Sequence, residues 1–292
     1  MTFGQLEIFA ALAETRGFTA AALRLGISQP AVSHALKGLE DELGVTLFNR
    51  TVSPIELTPL GERLLSRARE IIGLADAMHQ EASEYRGVQT GRLRIGSFGA
   101  TSSLQILPRL LEAFHAAHPG IEVLIEEAAD DEIIRWIEDR RIDLGFVVLP
   151  DERFRTWPVA QDQFVALVAA DSTLARQSSI RLEELCEMPF IMPESGSARI
   201  IRRLFTQSRL SPNVRYRTSQ MLSTLTMVAR SQGVSVVAEM ALPPTNGEEG
   251  WVSKPLNSVR TRKIGLAMHP HATPSPAAVA FVEVVEKSRD DL

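Results

Sequence analysis

The residues whose types point most directly to a binding role lie on one short predicted helix, from about residue 30 to 43. Ser28 or Gln29 suits its N-cap, Pro30 its first turn, and Gly44 a left-handed stop. Its apolar residues recur in steps of four, three and four and predict one buried stripe: Val32, Leu36, Leu39 and Leu43. Its polar residues are left facing water: Gln29, Ser33, His34 and Lys37. Such side chains can bond base edges and phosphates of DNA, although a solvated helix face would look the same.

The preceding residues predict two further helices. One contains Leu6 and Phe9 and should end near Gly17; the other runs from Thr19, a plausible N-cap, to Leu25. Residues 26–28 connect it tightly to the helix carrying the polar face, which is helix-turn-helix geometry. Two short strands, Val45–Asn49 and Ile55–Leu57, predict a hairpin wing around residues 51–54. In such a head the last helix enters the major groove of DNA.

Charge alone would not indicate DNA. The first 58 residues hold four basic and six acidic side chains, a net charge of −2. Such a head would bind phosphates weakly, so useful affinity needs several copies on one site together with direct base contacts.

A long helix follows the head, and dimerisation through it could bring two heads to one DNA site. Thr58 and Pro59 are an N-cap and first-turn pair, and the helix should run to about Arg86, roughly 40 Å. Small and apolar residues alternate along it in steps of four and three: Leu64, Ala68, Ile71, Ala75, Met78, Ala82 and Tyr85. This spacing predicts a two-helix dimer seam, and a helix packed on its own domain is the alternative.

The pattern changes at residues 87–91, where we place a domain boundary. Strands then alternate with helices of about ten or more residues, which predicts mainly parallel sheets in two α/β lobes. The predicted organisation is therefore a head (1–58), a linker helix (59–90) and a two-lobed domain (91–292). The chain should cross between lobes near 160–165 and 265–270.

Hydroxyl-rich loops precede three of the predicted helices in this domain. They are Ala100, Thr101, Ser102 and Ser103; Ser195, Gly196 and Ser197; and Thr218, Ser219 and Gln220. Ligands of open α/β sheets bind at the carboxyl ends of strands, and helix N-termini attract anions. Each hydroxyl could be only a helix cap, but their convergence on one cleft predicts a site for a small anion such as a carboxylate.

Composition excludes several classes of protein. There is no export signal and no apolar run approaching 18 residues, so we expect a cytoplasmic protein without a membrane partner. A single cysteine, Cys186, excludes a disulfide within the chain. The histidines form no recognisable metal site, and we expect no metal or resident cofactor.

No nucleophile elbow, dinucleotide fingerprint or phosphate loop is present, so we expect no enzyme. A solute-binding transport protein would need an export signal. The remaining alternative is an architectural DNA-binding protein that responds to no ligand.

The N-terminal residues resemble a known family. The segments FTAAA (18–22), SQPAVS (28–33), LGV (43–45) and LTPLG (57–61), with Leu39-Glu40, Leu47-Phe48 and Arg50, are similar to the signature of LysR-type transcriptional regulators. The match is dense over about 65 residues and looser beyond them. It implies a winged helix-turn-helix head, a linker-helix dimer, commonly a tetramer, and an effector domain like a type 2 periplasmic binding protein. It also implies binding to promoter DNA, action on RNA polymerase and control by a small co-inducer.

The resemblance assigns roles by position. Gln29, Pro30, Ser33, His34, Lys37 and Arg50 become the predicted DNA-binding residues. Ala100, Thr101, Ser102, Ser103, Ser195, Gly196, Ser197 and Ser219 become the predicted effector-binding residues. The chain departs from the family at His34, where Arg is common, and near Ser53, where a second wing Arg is common. Base preference at His34 should therefore differ, and operator affinity should be modest.

Overall fold

The N-terminal head consists of three helices and a two-stranded hairpin. The computed structural model describes residues 1–50, 54–85, 90–194, 198–244 and 247–288. The elements of the head are α1 (Phe3–Thr15), α2 (Phe18–Leu25), α3 (Gln29–Leu43), β1 (Phe48–Asn49) and β2 (Glu56–Leu57). The two strands pair antiparallel. Residues 51–53 of the predicted wing, including Ser53, lie outside the described residues.

The local sequence sets the ends of α3 as predicted. The Ser28 hydroxyl accepts a hydrogen bond from the Ala31 N–H at 3.3 Å, and Gly44 ends the helix with φ 66°. Two details of the head differ from the prediction. Thr19 is not an N-cap, because α2 begins one residue earlier, with Gly17 at the cap position. Leu43 is 40% exposed, because the chain turns after it and Leu47 and Phe48 enter the core instead.

The linker helix α4 (Pro59–Tyr85) packs on the head with its first half. Its start is capped by the Thr58 hydroxyl, which accepts from the Gly61 N–H at 2.9 Å. A Cβ at Gly61 would lie 2.2 Å from the Leu47 carbonyl oxygen, so only glycine permits this approach. Ala68, predicted in the dimer seam, is instead buried in the core of the head. No helix among the described residues is long and apolar enough to cross a membrane.

Lobe I is an α/β layer that contains most of the first half of the domain. Its strands are β3 (Gly91–Phe98), β4 (Ile121–Ala128), β5 (Leu144–Leu149), the first part of β6 (Arg155–Ala169) and β11 (Thr261–Met268). A π-helical turn (Thr101–Ile106) leads into α5 (Leu107–Ala117), and α6 (Asp130–Glu138) and α10 (Pro276–Lys287) complete the lobe.

Lobe II is built around the second part of β6. The strands β9 (Ser235–Ala238) and β10 (Trp251–Pro255) pair antiparallel with β6, and β7 (Pro189–Pro193) pairs parallel with β8 (Asn213–Thr218). The helices are α7 (Leu182–Cys186), α8 (Ala198–Gln207) and α9 (Met221–Ala229). The sequence did not predict α7 or β10.

The sheets are mixed rather than mainly parallel, because β6 and β11 run antiparallel to their neighbours. Strand β6 belongs to both lobes: residues 155–163 pair with β11, and residues 164–169 pair with β9 and β10. The second crossing was predicted near 265–270, but β11 lies in lobe I along its whole length. The chain therefore crosses back before Thr261.

Candidate DNA-binding face and interlobe cleft

The exposed side of α3 carries the predicted DNA-binding residues at the N-terminal end of the helix. Gln29, Pro30, His34 and Lys37 are exposed and Ser33 is half-buried. The opposite side of α3 anchors the helix in the head through the fully buried residues Val32, Leu36 and Leu39. The polar face is thus held rigidly against the other two helices of the head.

Arg50, also predicted to contact DNA, is tied to the end of α3. Its guanidinium forms an ion pair with Glu40 at 2.5 Å and lies 5.8 Å from the centroid of the Phe18 ring. The other oxygen of Glu40 accepts a hydrogen bond from the Leu47 N–H at 2.7 Å. Glu40 and Arg50 therefore fix the position of the hairpin relative to α3, and 42% of the Arg50 side chain stays exposed.

A cavity of about 580 Å³ opens between the two lobes. It lies at the carboxyl ends of β3, β4 and β7. Four predicted effector residues line it: Ala100, Thr101, Ser103 and Ser219. Much of the remaining wall is apolar and includes Phe98, Leu104, Ile201, Met221 and Val237. The predicted residues Ser195, Gly196 and Ser197 lie outside the described residues.

Ser102, predicted in the same set, does not line the cavity. Its hydroxyl is fully buried, donates to the Phe98 carbonyl at 2.7 Å and accepts from the Phe98 N–H at 2.9 Å. The Ser97 hydroxyl donates to it at 2.8 Å. Ser102 thus closes the loop after β3; it is not a helix cap, because its hydroxyl bonds the last residue of β3 rather than an N–H group of the helix.

Helix starts from both lobes reach the cavity. In lobe I the π-helical turn at Thr101 forms one, and in lobe II α9 forms the other, with Gln220 at its N-cap. The Gln220 side chain makes no capping hydrogen bond. The first N–H groups of a helix lack partners within it and carry partial positive charge.

A buried ion pair at the base of the cavity was missed by the sequence analysis. The Arg262 guanidinium donates to Asp162 at 2.8 and 3.1 Å and to the Thr101 hydroxyl at 2.6 Å. The two charged side chains are 2% and 0% exposed. Arg262 could have been recognised, because on β11 it shares its face with the buried residues Ile264 and Leu266.

Acidic groups complete the electrostatics of the cleft. Glu127 and Glu194 also line the cavity. Burial raises the pKa of Glu194, but hydrogen bonds from Arg217 and Arg202 outweigh it and lower that pKa overall. At the edge of the cleft, burial raises the pKa of Asp130 to about 6, although the positive charge of Arg262 partly opposes this. Among the described residues, Oδ1 of Asp130 has no hydrogen-bond partner.

The head and the cleft together define a helix-turn-helix DNA-binding protein that carries a two-lobed ligand-binding domain. Two family models identify it further. "Bacterial regulatory helix-turn-helix protein, lysR family" matches residues 3–62, and "LysR substrate binding domain" matches residues 86–289. The chain therefore belongs to the LysR family, and it is a DNA-binding transcriptional regulator rather than an enzyme.

Relatives of the chain align along most of their length. LrrA of Synechococcus elongatus, named a probable HTH-type transcriptional regulator, is 31% identical over 100% of this chain and 99% of its own. The HTH-type transcriptional activator CmpR of a Synechocystis species is 30% identical over 84% of this chain and 82% of its own. Full-length CbnR in complex with its target DNA superimposes with a TM-score of 0.66 at 26% identity, covering 99% of this chain and 100% of that one.

Proposed function

We propose that the first two turns of α3 read operator DNA and that a small anionic co-inducer in the interlobe cleft controls the regulator. The observation that carries this proposal is the 580 Å³ cavity, which two helix starts and three hydroxyl groups reach from opposite lobes. A ligand that touches both lobes favours one closure of them. It changes DNA binding only through its different affinities for the two arrangements.

The chemistry of the α3 face supports base readout. Gln29 can pair with adenine through its amide, and Lys37 or a protonated His34 can donate to guanine or to phosphate. Ser33 is suited to a shorter contact close to the groove edge. Arg50 is proposed to reach phosphate with the part of its guanidinium that Glu40 leaves free.

The cleft supports a carboxylate attached to an apolar body. The hydroxyls of Thr101 and Ser219 and the nearby helix starts offer donors for an anion, while the Ser103 hydroxyl donates to Ser97 at 2.9 Å and presents its oxygen to the cavity. The charge of Arg262 is balanced by Asp162 and that of Glu194 by Arg202 and Arg217, so Glu127 is the cleft carboxylate that would repel a second negative group. The apolar wall suits the remainder of such a molecule. The proposed roles of Ser195, Gly196 and Ser197 rest on their place in the sequence alone.

The second half of α4 supports a dimer. Its exposed apolar residues are spaced three, four and seven residues apart: Ile71 (41%), Leu74 (45%), Met78 (71%) and Tyr85 (95%). This spacing is that of a two-helix seam. We propose a homodimer through this surface, with a tetramer as its assembly on a promoter, where it acts on RNA polymerase in the cytoplasm.

A footprinting titration tests the DNA assignment. Purified full-length protein is titrated at a stated salt concentration on DNA flanking its own gene and on random DNA. Ser33→Ala and His34→Ala should each weaken specific binding about tenfold, because a lost base contact is worth about 1–3 kcal/mol, while binding to random DNA stays constant. His115→Ala, which alters an exposed histidine of α5, is the control. Equal losses on both DNAs would refute the assignment.

A thermal-stability screen tests the cleft. Small carboxylates are compared with their neutral amides, and a hit should stabilise the parent protein but not a Ser103→Ala/Ser219→Ala variant. A hit that stabilises both proteins equally binds elsewhere. If no carboxylate acts and the operator is still bound, the ligand-independent DNA-binding protein becomes the better description.

A further inference from the structure

A second crevice lies between the linker helix and lobe I, away from the effector cleft. Its volume is about 40 Å³, and it adjoins another of about 70 Å³ with which it shares five lining residues. None of its lining residues lines the interlobe cavity. Five arginines and two aspartates line it: Arg69, Arg92, Arg94, Arg140, Arg141, Asp76 and Asp143. Crevices of this size accommodate a few water molecules or one small ion.

Arg69 of α4 is poorly satisfied in this crevice. Its side chain is only 8% exposed, yet its two hydrogen bonds are long, at 3.4 Å to Glu14 and 3.5 Å to the Asp139 carbonyl. Its Nε–H has no partner among the described residues. Burial lowers the pKa of Arg69 in spite of the opposing charge of Glu14. A buried donor without an acceptor is costly, so this position calls for one.

Arg141 of lobe I, which lines the same crevice, also has a donor left unpaired in the described part of the chain. It lies over the Trp136 ring at 4.1 Å and is bound by Glu126 through one terminal nitrogen. Its Nε–H also lacks a partner among the described residues. Its positive charge contributes to the lowered pKa of Arg69, as expected for two guanidinium groups close together. Two neighbouring guanidinium groups with unused donors form a binding arrangement for an oxyanion.

The carboxylates of the crevice do not fill this role. Asp143 accepts from the Arg94 N–H at 2.8 Å, which commits one of its oxygens to the backbone of β3. Arg140 is taken by Glu70 at 3.1 Å and by the His271 carbonyl at 3.4 Å. Among the described residues, the buried arginine donors without a partner are the Nε–H groups of Arg69 on the α4 side of the crevice and of Arg141 on the lobe I side.

We propose that the crevice between α4 and lobe I binds one small inorganic oxyanion, of which phosphate is the probe, between Arg69 and Arg141. The bound anion ties the linker helix to lobe I. Because Arg69 also contacts Glu14 in α1, the anion strengthens the connection from head to effector domain without entering the effector cleft. The site neither requires nor excludes the proposed co-inducer.

The proposal is tested by measuring equilibrium binding of phosphate to the full-length protein. The ionic strength is held constant with a bulky organic buffer. One phosphate should bind per chain, and Arg141→Gln should weaken it at least tenfold. Arg109→Gln removes an exposed arginine of α5 that lines neither cavity and should leave binding unchanged. Arg141 is the first choice for substitution because it is more exposed than Arg69 and its loss is less damaging to folding.

The Ser103→Ala/Ser219→Ala variant separates the two sites. It should retain phosphate binding, since those hydroxyls belong to the interlobe cavity. The proposal is overturned if phosphate shows no saturable binding, if Arg141→Gln and Arg109→Gln behave alike, or if only the cleft variant loses binding. Each of these results leaves the proposed DNA and co-inducer functions unaffected.

Discussion

At the scale of single residues, the pair Arg262 and Asp162 is the most constrained element of the cleft. Asp162 also accepts from the N–H groups of Gln163 and Met240, at 2.8 and 3.1 Å. Arg262 lies between the rings of Phe98 and Phe164, with centroid distances of 5.6 and 5.5 Å. A charge so deeply buried is tolerated only while its partner remains.

Arg262→Gln should therefore destabilise the protein strongly. It leaves Asp162 buried without its ion pair, and breaking such a pair costs about 3–5 kcal/mol in the free energy of unfolding. Urea denaturation measures the loss. Arg260→Gln, two residues earlier and exposed, is the control and should change stability by less than about 0.5 kcal/mol. Similar losses in both variants would contradict the assigned role of the buried pair.

Asp130 predicts a dependence of stability on pH. Its pKa in the folded protein, about 6, is raised from the usual 3.8 because burial disfavours the charged form. The stabilising contribution of the protonated group is thus complete below pH 3.8 and is lost as pH rises through about 6. Asp130→Asn, which stays neutral, should melt higher than the parent at pH 7–8, and the difference should shrink towards pH 4.

Melting curves from pH 4 to 8 check this difference. Asp131→Asn changes the exposed neighbouring carboxylate and is the matched control. If the gap between Asp130→Asn and the parent is the same at every pH, ionisation of Asp130 does not destabilise the fold.

Sequence reasoning succeeded for residues whose position follows from local geometry. The period of α3 alone separates Ser33, His34 and Lys37 from the buried stripe, and the cap at Ser28 follows from residue type. Sequence reasoning failed where the surroundings of a side chain depend on how the strands pair in the sheet. Ser102 turns inward to bond Phe98, and Arg262 meets an aspartate one hundred positions away in the sequence.

At the scale of elements, α4 performs two tasks along its length. Leu65 and Ala68 belong to the core of the head, and the segment after Glu70 exposes four large apolar side chains: Ile71, Leu74, Met78 and Tyr85. The heptad-like spacing of the sequence predicted one continuous seam, because periodicity cannot distinguish burial against the same chain from burial against another. Short elements such as α7 and the edge strand β10 were missed for a related reason, since few of their residues carry a periodic signal.

Met78→Glu should disrupt the proposed dimer. Met78 is 71% exposed in one chain, and a charge at a seam position must be buried without a partner when two helices associate. The dimer dissociation constant should rise at least tenfold, or about 1.4 kcal/mol, in sedimentation equilibrium. His79→Glu places the same charge on the adjacent exposed position and is the control. A dimer unaffected by Met78→Glu would move the interface elsewhere.

At the scale of the whole molecule, the proposed regulation is a coupling between the cleft and α3. Lobe I contacts α4, and α4 packs on α1, so lobe movement has a continuous route to the head. The order of head, linker and lobes was predictable from the sequence. The position at which the chain returns from lobe II to lobe I was not predictable, because it depends on which strands pair with β11.

Coupling of this kind is reciprocal in binding. If a co-inducer changes operator affinity tenfold, operator DNA must change the affinity for that co-inducer tenfold in the same direction. Titrations of the co-inducer with and without operator DNA measure this, with random DNA as the control. The ligand could alter operator binding while operator DNA leaves the measured ligand affinity unchanged. That result would show that the ligand acts at more than one site.

The shared strand β6 has a consequence for how the effector domain can be divided. Lobe II is contained within residues 164–260, and its two ends are joined by the hydrogen bond from the Phe164 N–H to the Arg260 carbonyl at 2.8 Å. Gln163 and Thr261 are paired residues of adjacent antiparallel strands. In topological terms lobe II is an insertion in a β-hairpin, so a tight turn could replace it and leave lobe I closed. Lobe II, which supplies one wall of the cleft, is thereby a detachable module.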